Sequence, residues 1–235
     1  MLTVMTNRNN FALESAVRAS GGISGQAIYD RVLRLLAERC ADEAPVIADI
    51  GAGVGNFTRL LVGLRLPRPK RVVALDYMPR PATLPPDLCE WLEGDLNAAF
   101  VLPAASLDIA CALEVIEHLE NPRHFCREVF RSLRPGGIAV LTTPNNLSIR
   151  AKVSLVLRGY YPAFGAGNYP AHISPILQID MVRMLQEVGF CNVEISYTDS
   201  GDVPGTRGLK WQAVLPGCQG MHFSDNFIAC ARKPL

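Results

Sequence analysis

Apolar positions along this chain follow two rhythms, one of helical spacing and one of short unbroken runs. Ile28, Val32, Leu33, Leu35 and Leu36 recur at helical spacing between Gln26 and Cys40, after a polar stretch that ends in SGGISG. A helix is expected there, with residues 1–25 as an N-terminal arm. Pro45 leads into the apolar run VIADI, which stops at Gly51, Gly53 and Gly55; beyond them Phe57, Leu60, Leu61 and Leu64 share one helical face. The spacing predicts strand, glycine-rich turn and helix. Three further runs, Arg71 to Leu75, Glu90 to Leu92 and Leu107 to Leu113, read as strands that end at or near Asp76, Asp95 and Glu114. Phe125, Val129, Phe130 and Leu133 define a helix from Pro122, closed by Pro135-Gly136-Gly137 and followed by the strand-like IAVLTT. After Pro144 the pattern becomes irregular up to Pro170, far beyond the ~2–6 residues of an ordinary α/β connection, as expected of a lid or binding segment. Helical spacing resumes over 178–188 and stops at Gly189, before CNVEISY; a second loose stretch, Thr198 to Gly220, precedes FIACARK.

Strands alternating with helices imply a doubly wound α/β fold with a mostly parallel sheet, because parallel strands need crossovers that cover both faces. Residues 26–235 read as one domain, with cap segments at about 146–172 and 199–222. In such sheets ligands bind outside the carboxyl ends of the strands, where the glycines, Asp76, Asp95 and Glu114 would meet.

Composition narrows the function. With 49% hydrophobic and 19% charged residues over 235 positions, the chain can bury a sizeable core and is not a disordered segment. A formal charge of +1 gives no general attraction for nucleic acid. Seven cysteines are scattered without any C-x-x-C pair, so they read as reduced thiols of a cytoplasmic protein. No window approaches the ~18 apolar residues of a membrane span, and MLTVMTNRNNFALES lacks an apolar run behind a basic head, so a soluble, unexported protein is expected.

The glycines decide the cofactor. A dinucleotide fold wants G-x-G-x-x-G, whereas here Asp49-x-Gly51-x-Gly53-x-Gly55 is followed by Asn56. Asp49 and Glu114 are poor neighbours for a pyrophosphate but good ones for an amine, a sulfonium and a neutral ribose, the groups of S-adenosylmethionine. Asp76 stands about 20 positions past Gly55, the offset of a ribose-chelating carboxylate, and Asp95 is placed to meet the adenine.

In that order, DIGAGVG, ALD, EGDL, EVIEHLENP and LRPGGIAVLTTPN resemble the motifs of class I S-adenosylmethionine-dependent methyltransferases, over about residues 26–145. Weaker echoes follow in HISP, MLQEVGF and FIACARK. The resemblance implies a seven-stranded Rossmann-like sheet with an antiparallel last strand, the cofactor across the first two strands and a substrate cap. It assigns Gly51, Ala52, Gly53 and Gly55 to the backbone cradle, Asp76 and Tyr77 to ribose and adenine, Gly94, Asp95 and Leu96 to the adenine side, and Leu113 and Glu114 to the edge of strand four.

Methyl transfer from a sulfonium needs alignment and exclusion of water, and a hydroxyl acceptor needs a base. His118, just past strand four, is the candidate base, since a neutral imidazole suits that work near pH 7. His172, Tyr160, Tyr161 and Tyr169 in the cap are candidate substrate contacts; a cap rich in tyrosine and proline could equally serve a homodimer contact. Glu114, Glu117 and His118 on one turn also resemble the triplet of metal-assisted O-methyltransferases, with His172 as a further ligand, but the same triplet occurs in methyltransferases without metal, and no metal is assigned. The expectation is O-methylation of a small-molecule acceptor. Its rivals are a metal-assisted RNA 2′-O-methyltransferase, disfavoured by the neutral charge balance, a cofactor-binding protein without catalysis, and a nicotinamide-dependent oxidoreductase, disfavoured by the glycine pattern.

Overall fold

The computed structural model describes residues 22–39, 44–65, 68–206 and 208–235. The first helix, α1 (Gln26–Arg39), precedes β1 (Val46–Ile50), α2 (Asn56–Val62), β2 (Arg71–Asp76), β3 (Glu90–Glu93) and β4 (Leu107–Leu113). A one-turn 3₁₀ segment, Ile116–His118, leads to α3 (Pro122–Ser132) and β5 (Leu133–Pro144), then α4 (Ile149–Arg158), α5 (Gln178–Glu187), β6 (Cys191–Tyr197), the short α6 (Trp211–Val214) and β7 (Asn226–Arg232).

The seven strands form one sheet in the order β3-β2-β1-β4-β5-β7-β6. Strands β1 to β5 pair in parallel, and β7 runs antiparallel to both β5 and β6. This is the α/β architecture expected from the sequence, and its topology follows from period-two alternation in strands covered on both sides. Ile47, Ile109, Val140 and Ile228 point to one face and pack with Val32 and Leu36 of α1 and Phe57 and Leu61 of α2. Ala48, Ile50, Leu75, Ala110, Leu141 and Phe227 point to the other, against Phe125 and Val129 of α3 and Met181 and Leu185 of α5.

Helix starts follow local chemistry. Asn121 caps α3 by accepting from the His124 amide at 3.0 Å, with Pro122 in the first turn, where its missing N–H costs nothing. The stretch expected to be irregular after Pro144 instead contains α4, opened by Ser148, whose Oγ accepts from the Ala151 amide at 3.1 Å, and closed by left-handed Gly159 at φ 80°. The six described cysteines are free thiols; Cys40 lies outside the described residues. No helix among the described residues is long and apolar enough to cross a membrane.

Sheet order reverses between β1 and β4, so the carboxyl ends of β1, β2 and β4 open onto one crevice.

Candidate functional site

At the end of β1 the chain turns back sharply, with the Gly51 amide donating to the Leu75 carbonyl at 2.7 Å. Gly51 (φ 77°) and Gly53 (φ 55°) hold left-handed conformations that a side chain rarely adopts. Space is equally restrictive. A Cβ on Gly51 would fall 2.4 Å from Val115 Cγ2, and one on Gly53 would fall 2.4 Å from the Gly22 carbonyl oxygen. The backbone is thereby bared to a cavity of about 360 Å³ at the carboxyl ends of the strands. Asp76 at the end of β2 is tied to this turn: its Oδ2 accepts from the Gly53 amide and its Oδ1 from the Met78 amide, both at 2.8 Å. Each carboxylate oxygen keeps acceptor capacity for a further hydroxyl.

Asp49 lies beneath the turn, buried, its Oδ2 accepting from Thr58 Oγ1 at 2.5 Å. Burial, with a smaller contribution from the negative charge of Asp76, pushes its carboxyl up to about 7. A cationic ligand in the cavity would favour the ionised form again. Titration with S-adenosylmethionine near pH 6.5 is therefore expected to release protons, since Asp49 is then largely protonated in the free protein; the release should be smaller near pH 8.5 and in Asp49→Asn. Calorimetry in two buffers of different ionisation enthalpy reads this directly, and a buffer-independent heat at pH 6.5 would refute it.

Beyond β4 the chain carries its acid/base groups into the same space. Glu114 sits at φ 57°, held by Thr142 Oγ1, which donates to its Oε1 at 3.0 Å, and by Asn226 Nδ2, which donates to its Oε2 at 2.7 Å. Burial pushes its carboxyl up to about 7. Glu117 is fully buried and also pushed up, by burial first and then by Glu114. Its Oε2 accepts from Thr143 Oγ1 at 2.9 Å, while its buried Oε1 has no hydrogen-bond partner.

His118 Nδ1 lies 2.8 Å from the Ala171 carbonyl oxygen. A carbonyl only accepts, so the proton sits on Nδ1 and Nε2 keeps its lone pair. Burial lowers the pKa of this imidazole, and that of His172 is lowered to about 4 by burial and the neighbouring His118. The two rings meet edge to face, centroids 4.6 Å apart. Glu117 also anchors the cap, its carbonyl accepting from the Ile173 and Ser174 amides at 3.0 and 2.9 Å. Ligand atoms of Glu117, His118 and His172 lie within 4.8 Å of one another. The unpartnered Glu117 Oε1 and the equally unpartnered, buried His172 Nδ1 make this donor set fit a divalent cation.

Of the residues singled out in the sequence, Asp49, Gly51, Ala52, Gly53, Asp76, Tyr77, Asp95, Leu96, Leu113, Glu114, His118 and His172 line the cavity. Gly55 and Gly94 do not. Gly55 turns the chain into α2 against Leu84, and Gly94 donates its amide to the Asp76 carbonyl. Tyr160, Tyr161 and Tyr169 are not brought to it either. Two 3₁₀ turns, Pro162–Phe164 and Ala166–Asn168, fold this part of the cap on itself, so that Tyr160 lies over Gly165 and Tyr169 is 72% exposed.

Sequence patterning missed Gly22–Gly25, assigned to the N-terminal arm. The Gly22 carbonyl accepts from the Val54 amide at 3.3 Å, and Ser24 Oγ donates to the Leu113 carbonyl at 3.4 Å, bringing this segment to the cavity wall. Tyr29, stacked on Phe57 with centroids 5.6 Å apart, and Asn226 also line the cavity. SGGISG was the available signal for the first of these; Asn226 reaches the site only through the antiparallel return of β7, which local patterning does not reveal.

A glycine-bared crevice at the switch point, a carboxylate closing the second strand and acidic walls are features that fit a nucleoside cofactor. The chain belongs to the methyltransferase-domain family, whose match covers residues 23–195. S-adenosylmethionine is that family's methyl donor, and the bare glycine turn, Asp76 and the acidic walls fit it. The chain is 29% identical over 166 residues, 69% of its length and 57% of the relative's, to a protein of Mycolicibacterium smegmatis named as a probable S-adenosylmethionine-dependent methyltransferase. It is 38% identical over 115 residues, 48% of its length and 44% of the relative's, to trans-aconitate 2-methyltransferase of Azoarcus sp.. The chain thus spans about half the length of these two curated relatives. It is 24% identical over 216 residues to the mitochondrial ubiquinone biosynthesis O-methyltransferase of Schizosaccharomyces pombe, covering 88% of this chain and 75% of that one. Among solved structures, an S-adenosylmethionine-dependent methyltransferase of Archaeoglobus fulgidus shares the fold at TM-score 0.62 and 16% identity, over 88% of this chain and 93% of its own.

Proposed function

We propose that this chain transfers the methyl group of S-adenosylmethionine to a hydroxyl of a small-molecule acceptor, with His118 as the base. One observation carries the reading: His118 spends its Nδ1 proton on the Ala171 carbonyl and so presents an unprotonated Nε2 in a residue that lines the cofactor cavity. S-adenosylmethionine, when bound, supplies a methyl group already activated by its sulfonium. The protein's part is then alignment, exclusion of water and removal of one proton. Asp76 would accept hydrogen bonds from the ribose hydroxyls, the glycine turn would let the backbone approach the cofactor, and Asp49 and Glu114 would offset its positive charge. His118, its pKa lowered by burial, stays neutral and takes the acceptor proton as the oxygen attacks. Transfer to oxygen is supported by relatives named as O-methyltransferases, of ubiquinone biosynthesis and of malonyl-[acyl-carrier protein]. The charge balance of +1 supports a small molecule over a nucleic acid.

A second reading rests on the unpartnered Glu117 Oε1. Glu117, His118 and His172 would hold a divalent cation, which would acidify a hydroxyl bound beside it. Incubation of whole-cell extracts with isotopically labelled cofactor, followed by mass spectrometry, tests both. The expected product carries the label on oxygen, at a rate unchanged by a chelator. Label on nitrogen, carbon or RNA would contradict the acceptor class; activity lost to the chelator and restored by magnesium would assign these side chains to the metal.

A further inference from the structure

Helix α4 is built the wrong way round for a protein that meets only water. Its buried side chains are the small ones, Ala151 and Ser154, while Val156 is 83% exposed and Leu157 77% exposed. Val153, Leu155 and, just past the helix, Tyr160 are exposed as well. Val153, Val156 and Leu157 stand three and four positions apart and so share one face. Lys152, exposed, borders that face, and exposed Arg158 ends the helix. Neither has an ion-pair partner among the described residues, whereas Arg150 is engaged by Asp202 and Asp225. The segment's own charges are one-sided: no Asp or Glu occurs in the sequence between Glu128 and Asp180, and the acidic residues near the helix, Asp202 and Asp225, engage Arg150.

We propose that α4 docks this protein on an anionic membrane surface, lying in the plane of the headgroups with Val153, Val156 and Leu157 inserted among the acyl chains and Lys152 and Arg158 on the lipid phosphates. An outward apolar arc flanked by cations is the pattern of an interfacial helix. The ten residues of α4 are too few to span a bilayer. A second copy is the weaker occupant, because a two-fold contact through this face would bring Lys152 and Arg158 towards their own copies with no acidic residue of the segment to offset them. None of the inserted residues lines the cofactor cavity, so docking is separable from methyl transfer.

Sedimentation of the full chain with vesicles tests this. Vesicles of phosphatidylcholine and phosphatidylglycerol in about a 2:1 ratio should bind it, and vesicles of phosphatidylcholine alone at least about 10-fold more weakly. The double variant Val156→Glu/Leu157→Glu should lose about 10-fold or more of the binding to the mixed vesicles, with an unchanged circular dichroism spectrum and unchanged S-adenosylmethionine affinity, since both side chains already face solvent. High salt should weaken the wild type. Absence of binding to the mixed vesicles, or equal binding by the double variant, would overturn the proposal. A concentration-dependent dimer abolished by the double variant, without vesicle binding, would overturn it in favour of a second copy.

Discussion

Replacing His118 by alanine is expected to lower turnover by about 10²-fold or more while leaving S-adenosylmethionine affinity nearly intact. His118 is the cavity-lining imidazole whose tautomer is fixed by a backbone carbonyl, and Asp76, Asp49 and the glycine turn are expected to hold the cofactor without it. Loss confined to turnover is the mark of an interaction made as the acceptor is deprotonated. The pH profile should agree. Because burial lowers the pKa of His118, the base form persists on acidification, and at saturating S-adenosylmethionine the acid limb of kcat/KM for the acceptor should fall below the ordinary histidine value of about 6.5. Steady-state kinetics of the variant beside a binding titration checks this. A wild-type rate, or a matching collapse of cofactor affinity, would remove His118 from the role of base.

Gly53→Ala is expected to weaken S-adenosylmethionine binding by about 10- to 100-fold, the scale of about 1–3 kcal/mol of local strain. At φ 55° the alanine would be strained, and its Cβ would lie 2.4 Å from the Gly22 oxygen and 2.9 Å from the Gly22 carbonyl carbon, backbone atoms with no rotamer to yield. The relief available is displacement of Gly22–Gly25 from the cavity wall, together with a shift of the Gly53 amide from Asp76. Gly63→Ala is the control, since Gly63 ends α2 at φ −76° and its Cβ would meet nothing closer than 3.5 Å. Calorimetric affinities and melting curves for the two variants separate damage to the cradle from general destabilisation; equal affinities would contradict the importance of this approach.

The sheet could be read from the chain because its central strands are buried on both faces and give apolar runs broken by a single aspartate each, VIADI and LDIACAL above all. The glycine turn and its meeting with Asp76 at the cavity were equally legible, since left-handed turns demand glycine and the strand-end Asp76 sits at a fixed offset. Helix α4 was not, although Ser148 and Gly159 bracket it with good capping chemistry. Its aliphatics face outward, so the apolar periodicity that betrays a core-facing helix is missing. The tyrosines of the cap misled for a related reason: aromatic composition says what could line a pocket, while the tight turns from Pro162 to Asn168 decide which way the side chains go. The meeting of Glu117 with His172 was visible only as a resemblance, because a long-range contact leaves no mark in local spacing.

The account stands on the placement of the cofactor. A crystal structure determined after soaking with S-adenosylhomocysteine tests it most directly. The adenosyl group should lie along Gly51–Gly53 with both ribose hydroxyls in hydrogen-bond range of the Asp76 carboxylate. Density for the nucleoside elsewhere, or a crevice that stays closed to it, would contradict the assignment.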